Sequence, residues 1–246
     1  MRRFGLIGLD LKHSFSKKYF DDKFWNESIN DCSYELIEVS SIENIRELVT
    51  QLKLNGFNVT IPYKERILPL CDVLSPVTEL IGAVNCIKIV NQKLIGYNTD
   101  YIGFLKGLPN KIKFKGQLAI IFGTGGAAKA IQYALKSLQM EIVEISTSKK
   151  RNTLSYDEVT PKLIAQAKIL VNCTPLGTYP NIEDAIEIPY QYIHSEQVCY
   201  DLVYNPPLTK FLKLCQKHGA VCINGKIMLE AQAEASWEIW NNVEEI

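Results

Sequence analysis

The sequence has few histidines, no net charge and no long apolar run. Lysine and arginine together number 27, as do aspartate and glutamate, so the formal net charge is zero. Because there is no overall positive field, we expect no binding to nucleic acid or to an anionic membrane surface. Only three histidines occur in 246 residues, and none is spaced with carboxylates in the way that a metal site requires. The composition therefore predicts neither a nucleic-acid partner nor a metal.

The seven cysteines have no recognisable pattern. Their number is odd, and no pair has the two-residue separation that is typical of zinc and redox motifs. We expect reduced, mostly buried thiols. The first apolar run, which ends before Asp10, has only about six residues, fewer than a signal-peptide core or a membrane span requires. These features predict a cytoplasmic protein.

The composition supports a sizeable core. Hydrophobic residues make up 47% of the chain, whose length suits one large domain or two ordinary ones. Short apolar strands alternate with amphipathic helices, which indicates an α/β fold with mostly parallel sheets. A loose stretch rich in Lys, Gly and Pro around residues 103–115 marks a boundary. We predict one domain of residues 1–103, with the C-terminal helix 227–246 packing back on it, and a second of residues 104–226.

Local signals predict particular elements. Ser40 and Glu43 have the spacing of a capping box at the start of a helix, and Asn55-Gly56 is expected to stop that helix. In the second half, a strand over residues 118–122, a helix and a strand over 141–145 form one βαβ unit. Strands of the first half are predicted at Phe4–Leu9, Tyr34–Val39 and Phe57–Ile61.

A glycine-rich turn follows the first strand of the second half and opens its helix. Residues 123–128 read G-x-G-x-x-A, the pattern of a dinucleotide-binding turn. The glycines allow a tight turn and close approach of a pyrophosphate, and the helix N-terminus offers N–H groups and partial positive charge. An ordinary tight turn, or a loop for another nucleotide such as S-adenosylmethionine, would give the same local pattern. The candidate cofactor-binding residues are Gly123, Thr124, Gly125, Gly126 and Ala127.

The end of the next strand bears on the choice of dinucleotide. NAD-selective units carry an acidic residue about 20 residues after the glycines, but this chain has the hydroxyls and cations of residues 146–151 there. Such a set suits a 2′-phosphate, so Thr147, Ser148 and Lys149 are candidate contacts and NADP is favoured over NAD. A solvated basic turn is the alternative interpretation.

Three polar residues accompany strand-like segments of the first half. Lys64 lies just past the strand that ends at Ile61, and Asn85 and Asp100 follow two further short segments. Ligands of open α/β sheets bind beyond the carboxyl ends of strands, so these side chains are expected to converge. A lysine beside a carboxylate can hold a polyhydroxylated substrate and handle the proton of a hydroxyl that is oxidised. Alternatively, Lys64 is a solvated surface residue and Asp100 caps the next helix.

Taken together, the motifs resemble those of the shikimate dehydrogenase family. They occur in the family's order over nearly the whole chain, which is far more specific than any one of them. The matching segments are His13-Ser14-Phe15-Ser16, residues 58–64 (NVTIPYK), 82–85 (GAVN) and 98–100 (NTD), the glycine loop, residues 172–177 (NCTPLG) and Gln232.

The resemblance implies an N-terminal substrate domain, a Rossmann-like NADP domain and the reversible NADPH-dependent reduction of 3-dehydroshikimate to shikimate, a step of aromatic amino acid biosynthesis. By the same match, Lys64 and Asp100 would form the catalytic pair. Leu202, Gly225 and Met228 would lie near the nicotinamide. A monomer or homodimer is expected. The substrate would be bound by Ser14, Ser16, Thr60, Asn85, Tyr204 and Gln232.

Three positions depart from the family pattern. Lys17 replaces a proline after the second serine, which affects the start of a helix. The loop at Thr147 lacks the family's arginine, so a 2′-phosphate would lose its bidentate clamp. Ile227 replaces the second glycine of Gly-x-Gly-Met, which leaves the local backbone path open.

The proton chemistry and the exact activity also stay open. A free lysine side chain titrates near about 10.4 and is mostly protonated at neutral pH. Lys64 would then donate a proton in the reductive direction. In oxidation, either burial would have to favour its neutral amine or Asp100 would have to share the proton. The alternatives to the main interpretation are a quinate/shikimate dehydrogenase that uses NAD, a non-catalytic nucleotide-binding regulator of the same fold and, more remotely, a methyltransferase.

Overall fold

The computed structural model describes residues 1–148 and 152–242, and this part of the chain divides into two compact units. Unit 1 contains residues 1–100 and the described residues from Glu230 onward, and unit 2 contains the described residues of 101–229. Both divisions fall within helices, one at the start of α4 (Asp100–Gly107) and one inside α8 (Lys226–Asn241). The predicted boundaries, after residues 103 and 226, lie in the same two helices.

Unit 1 is built on a mixed six-stranded sheet with the order β2-β1-β3-β5-β6-β4. One strand, β5, runs antiparallel to both of its neighbours, and the other described pairings are parallel. The strands are β1 (Arg2–Gly8), β2 (Cys32–Glu38), β3 (Gly56–Val59), β4 (Val73–Leu74), β5 (Cys86–Val90) and β6 (Lys93–Tyr97).

Aromatic side chains join the helices of unit 1 to this sheet. The rings of Phe20 and Tyr34 stack with centroids 4.2 Å apart, and those of Phe4 and Trp240 with centroids 4.6 Å apart. The Trp240 indole also donates to the Ile87 carbonyl at 2.9 Å, so the end of α8 is fixed on unit 1. The other helices of the unit are α1 (Ser16–Asn26), α2 (Ile45–Leu52) and α3 (Pro76–Ile81).

The predicted ends of α2 were wrong. The helix begins after Asn44, where no side chain of the described chain caps it, and Ser40 and Glu43 do not form a capping box. Instead the Glu43 N–H donates to Ser41 Oγ at 3.2 Å, a local turn that competes with the capping geometry. The helix ends at Leu52, and its C-cap is Lys53, which is left-handed at φ 54°. The predicted stop at Asn55-Gly56 lies beyond this end, and Gly56 already belongs to β3.

Unit 2 is built on a five-stranded sheet in which all described pairings are parallel, with the order β11-β10-β9-β7-β8. The chain order reverses between β7 and β9, which makes their carboxyl ends a topological switch point where ligands bind in such sheets. The strands are β7 (Leu118–Phe122), β8 (Glu141–Ile145), β9 (Ala167–Asn172), β10 (Val198–Asp201) and β11 (Val221–Ile223).

Apolar side chains of the strands of unit 2 point alternately to two cores, since successive residues of a strand face opposite sides of the sheet. In β7, Ala119 and Ile121 belong to one core, and Ile120 and Phe122 belong to the other. Helices α5 (Gly126–Ser137), α6 (Pro161–Gln166) and α7 (Lys210–Gln216) complete the unit. Within residues 1–148 and 152–242, no helix combines the length and the apolar character that crossing a membrane demands.

Candidate active site

The sheet of unit 1 brings the candidate catalytic residues to one edge. Lys64 follows β3 and Asp100 follows β6, and these two strands run in the same direction. Asn85 precedes β5, although the sequence pattern predicted that it follows a strand. Because β5 is antiparallel, its amino end lies at the edge where β3 and β6 end, so the expected convergence occurs for a different reason.

Lys64 and Asp100 form a partly buried ion pair. Lys64 Nζ donates to Asp100 Oδ2 at 2.6 Å, and the two side chains are only 14% and 6% exposed. Asp100 is also the first residue of α4, and its N–H donates to Asn98 Oδ1 at 3.0 Å. The pair therefore joins the end of β3 to the start of a helix, and both charges are held in fixed positions.

Asn85 and Gln232 lie beside this pair. Asn85 Nδ2 donates to Asp100 Oδ1 at 2.9 Å, and its Oδ1 accepts the Thr99 N–H at 2.6 Å, so the orientation of the amide is defined. Gln232, on α8, places its Oε1 3.4 Å from Asn85 Nδ2. The structure thus brings together four of the predicted site residues, Lys64, Asn85, Asp100 and Gln232.

A buried polar layer that sequence reasoning missed supports these amides. Asn58 Nδ2 donates to Ser236 Oγ at 2.9 Å and to the Asn85 carbonyl at 3.1 Å, while its Oδ1 accepts the Tyr34 hydroxyl at 2.9 Å. Ser236 Oγ in turn lies 3.2 Å from Thr99 Oγ1. Asn58 belongs to the family-like motif of residues 58–64, but no sequence signal marked Ser236, which is a single small polar residue in a helix.

The other predicted substrate residues of unit 1 lie along the same edge. Ser14 and Ser16 follow β1, and Ser14 Oγ accepts the Ser16 N–H at 3.3 Å. The Ser16 side chain lies beside the Tyr34 phenol. Thr60 follows β3 and donates its N–H to the Ile7 carbonyl at 3.0 Å. All three predicted side chains are half-buried, and no hydrogen bond between described residues joins them to the Lys64–Asp100 pair.

The glycine turn of unit 2 has the geometry that a pyrophosphate needs. Gly123 has a φ of 102°, which favours glycine, and a Cβ there would come 3.3 Å from the Cys173 carbonyl carbon. A Cβ on Gly125 would meet open space, and no side chain of the described residues caps α5 at this residue. The first N–H groups of a 12-residue helix are thus presented to a ligand. Thr124, Gly126 and Ala127 are half-buried in this turn and the first turn of α5.

The turn after β8 is organised by Ser146. This buried hydroxyl accepts the Ser148 N–H at 3.3 Å and lies 3.5 Å from Thr124 Oγ1, so the two predicted cofactor loops meet. Thr147 and Ser148 are exposed. Lys149 lies outside the described residues. Ser146 is part of the run of residues 146–151, and no sequence signal predicted its role.

The remaining candidates lie around the end of β10. The Gly225 N–H donates to the Val203 carbonyl at 3.1 Å, and a Cβ on Gly225 would come within 2.0 Å of the Leu202 carbonyl oxygen. Only glycine therefore allows this contact. Met228 is buried in the core against which Leu202 packs, while Tyr204 is half-buried on the loop that follows β10. Leu202, Gly225 and Met228 are thus brought together within unit 2.

Comparison with known proteins agrees with this arrangement. Residues 6–87 match the family model described as "Shikimate dehydrogenase substrate binding domain". The chain is 38% identical over 257 aligned residues to a shikimate dehydrogenase (NADP+) of Clostridium perfringens, an alignment that covers 99% of this chain and 93% of the relative. The chain belongs to the shikimate dehydrogenase family.

Solved structures of shikimate dehydrogenases have the same fold. Shikimate dehydrogenase 1 of Peptoclostridium difficile is 34% identical and superposes with a TM-score of 0.86, covering 100% of this chain and 94% of the other. Shikimate 5-dehydrogenase of Thermus thermophilus, solved with NADP(H) and shikimate, is 28% identical with a TM-score of 0.86, covering 98% and 94%. The predicted family and the predicted two-unit α/β fold are confirmed. The roles of individual residues stay predictions.

Proposed function

We propose that this member of the shikimate dehydrogenase family catalyses the reversible NADPH-dependent reduction of 3-dehydroshikimate to shikimate. The observation that carries the proposal is the Lys64–Asp100 pair, joined at 2.6 Å beside Asn85 and Gln232 at one edge of the unit 1 sheet. An ammonium next to a set of amides suits a ring that carries a ketone and several hydroxyls.

Lys64 acts on the oxygen of the reacting carbonyl. Its ammonium donates a hydrogen bond to that oxygen, stabilises the negative charge that develops there and then gives the oxygen a proton, which leaves Lys64 as a neutral amine. Asp100 holds the ammonium through Oδ2, while Asn85 occupies Oδ1, so the carboxylate cannot turn away. NADPH supplies the hydride when it is bound. In the reverse direction the pair, with Lys64 as the neutral amine, accepts the proton of the substrate hydroxyl.

Binding of the remaining substrate oxygens falls to the neighbouring side chains. Asn85 and Gln232 each offer an amide that can both donate and accept, which suits ring hydroxyls. The hydroxyls of Ser14 and Ser16 suit a carboxylate, and Thr60 adds a further hydroxyl at the same edge. By its place in the family pattern, Tyr204 would be a further substrate contact. These roles predict that the side chains affect KM for the substrate more than they affect folding.

The coenzyme would be held by unit 2. The backbone of residues 123–126 and the N-terminus of α5 would bind the pyrophosphate. Thr147 and Ser148 would face the 2′-phosphate, because no acidic side chain follows β8 to compete for a ribose hydroxyl. Leu202, Gly225 and Met228 would lie at the nicotinamide. This arrangement favours NADP over NAD.

Initial rates with shikimate or quinate, each with NADP or NAD, test the proposal. We expect shikimate with NADP to give the highest kcat/KM of the four pairs, and quinate with NAD to give a much lower kcat/KM. We also propose a cytoplasmic location. The protein should be a monomer or a homodimer, and sedimentation analysis would measure this oligomeric state. A higher kcat/KM for quinate with NAD would favour the alternative activity, and no turnover with any pair would favour a non-catalytic regulator.

Lys64→Met tests the central residue. The kcat should fall by about 10²–10³, because an oxyanion donor is lost. A matched control is Lys18→Met, which removes another Lys–Asp pair of unit 1, joined at 2.8 Å but with both side chains more than half exposed (62% and 58%). The control should keep the wild-type kcat, since an exposed pair of this kind contributes little. Equal kcat values for the two variants would show that Lys64 takes no part in catalysis.

A further inference from the structure

A buried carboxylate in unit 2 has no part in the chemistry described so far. Asp201 is the last residue of β10, and its side chain is 0% exposed. Among the described residues, no lysine, arginine or histidine forms an ion pair with it. A buried charge without a cation is costly unless hydrogen bonds compensate it. What this carboxylate binds therefore indicates its role.

Three donors surround the Asp201 carboxylate. Oδ1 accepts Asn172 Nδ2 and the Val203 N–H, each at 3.0 Å, and Oδ2 accepts the Thr209 hydroxyl at 2.5 Å. Burial raises the pKa of Asp201 to about 6, although the three donors act in the opposite direction. The carboxylate is therefore ionised at neutral pH, the form that can accept all three bonds.

The first donor extends the network into the loop after β9. Asn172 Oδ1 accepts both the Thr174 N–H at 3.0 Å and the Thr174 hydroxyl at 2.6 Å. Thr174 Oγ1 then accepts the Leu176 N–H at 3.3 Å. Once Asp201 has fixed the Asn172 amide, a chain of side-chain bonds sets the conformation of residues 173–176.

The other two donors extend it into the loop after β10. Val203 donates its N–H to Asp201, and its carbonyl accepts the Gly225 N–H at 3.1 Å. Thr209 donates to Asp201 and at the same time caps α7 by accepting the Leu212 N–H at 3.3 Å. The carboxylate therefore ties both ends of the segment 202–209, which carries Leu202 and Tyr204.

The loop after β9 lies beside the glycine turn at the switch point of the sheet, and the loop after β10 is joined to β9 by the Leu202 N–H, which donates to the Asn172 carbonyl at 3.0 Å. The Cys173 N–H donates to the Phe122 carbonyl at 2.9 Å, and Gly123 lies against Cys173. We propose that Asp201 is a positioning residue for the coenzyme, because its carboxylate holds the loops after β9 and β10 in the conformation that receives the nicotinamide half of NADPH. The identity of the coenzyme rests on the proposed function.

Two threonine caps of unit 2 provide a matched test. Thr160 caps α6 by accepting the Leu163 N–H at 3.2 Å, just as Thr209 caps α7, but Thr160 is exposed and does not contact Asp201. Thr160→Val and Thr209→Val therefore remove the same kind of cap. Only Thr209→Val also removes a donor to the carboxylate. Thr209→Ser keeps that donor, and Asp201→Asn keeps the shape of the side chain without its charge.

The readouts are the Kd for NADPH, from NADPH fluorescence without turnover, and kcat/KM for NADPH. Thr209→Val should raise Kd about tenfold, the effect of losing one hydrogen bond to a charged group. Displacement of the loops should lower kcat/KM by up to about 100-fold. Asp201→Asn should change both quantities in the same direction, whereas Thr160→Val and Thr209→Ser should stay within about twofold of wild type, below the effect of one such bond.

The outcomes separate this inference from the proposed function. If Thr209→Val and Asp201→Asn match Thr160→Val in both quantities while the wild type turns over, the inference is wrong and the proposed function stands. If the wild type binds NADPH without turnover and Thr209→Val weakens that binding, the inference stands and the proposed function is wrong. A wild-type protein that does not bind NADPH would overturn both. Should Thr209→Val not fold, Asp201→Asn compared with Thr209→Ser gives the same decision.

Discussion

Replacing Asp201 with asparagine should change how the stability of unit 2 depends on pH. In the folded protein the pKa of Asp201 is raised from 3.8 to about 6, mainly because burial disfavours the carboxylate. An acid whose folded pKa is raised binds protons more readily when folded. Its ionisation therefore destabilises the folded state at high pH, and that cost disappears as the pH falls through the folded and then the unfolded pKa.

The size of the effect follows from the two pKa values. Because they differ by about two, ionised Asp201 costs about 3 kcal/mol at pH 7.5. At pH 5 most folded molecules are protonated at this site, and the cost falls to about half of that. Asparagine does not titrate. Wild type should therefore gain about 1.4 kcal/mol of unfolding free energy relative to Asp201→Asn between pH 7.5 and pH 5.

Urea unfolding at the two pH values measures this difference, and the probe must report unit 2. All three tryptophans, Trp25, Trp237 and Trp240, lie in unit 1. Tryptophan fluorescence therefore follows unit 1 and serves as an internal control, while far-UV circular dichroism follows both units. Any part of the difference between Asp201→Asn and wild type that does not depend on pH cancels when the two pH values are compared.

Asp72→Asn is a control at a carboxyl group whose pKa is shifted in the opposite direction. The N–H of Leu94 and the Arg46 guanidinium lower the pKa of Asp72, so its contribution is present at both pH values and is lost only in more acidic solution. Its difference from wild type should not change between pH 7.5 and pH 5. If the difference for Asp201→Asn were also constant, Asp201 would not titrate in this range and the reasoning about its burial would be wrong.

Two further predictions concern the coenzyme loops. Ser148→Asp should weaken NADPH binding by at least about tenfold through repulsion of the 2′-phosphate while leaving NADH binding nearly unchanged; equal losses, measured as Kd, would show that this turn does not contact the phosphate. Gly225→Ala should lower the unfolding free energy by about 1–3 kcal/mol because its Cβ would meet the Leu202 carbonyl oxygen at 2.0 Å. Gly125→Ala, whose Cβ meets open space, should keep its stability but bind NADPH less tightly. Urea unfolding would contradict this contrast if both alanine variants lost equal stability.

Sequence patterns predicted the α/β fold and the βαβ unit that carries the glycine turn. They succeed there because side-chain periodicity and glycine conformation are local properties. The predicted capping box at Ser40 and Glu43 was wrong, because residue spacing does not distinguish a capping box from the competing local turn at Ser41. Asn85 reached the predicted edge, but through an antiparallel strand whose direction no local pattern encodes.

The sequence by itself determined where the strands of the βαβ unit and its glycine turn lie, and which residue types could carry the chemistry. Only the tertiary structure decided which of them meet. Asn58 and Ser236 are bonded across 178 positions of the chain, and Asp201 reaches Asn172 across 29. Such contacts depend on the order and direction of strands in a sheet, which arise from packing of the whole unit, so a single buried serine or aspartate gives no sign of them in the sequence.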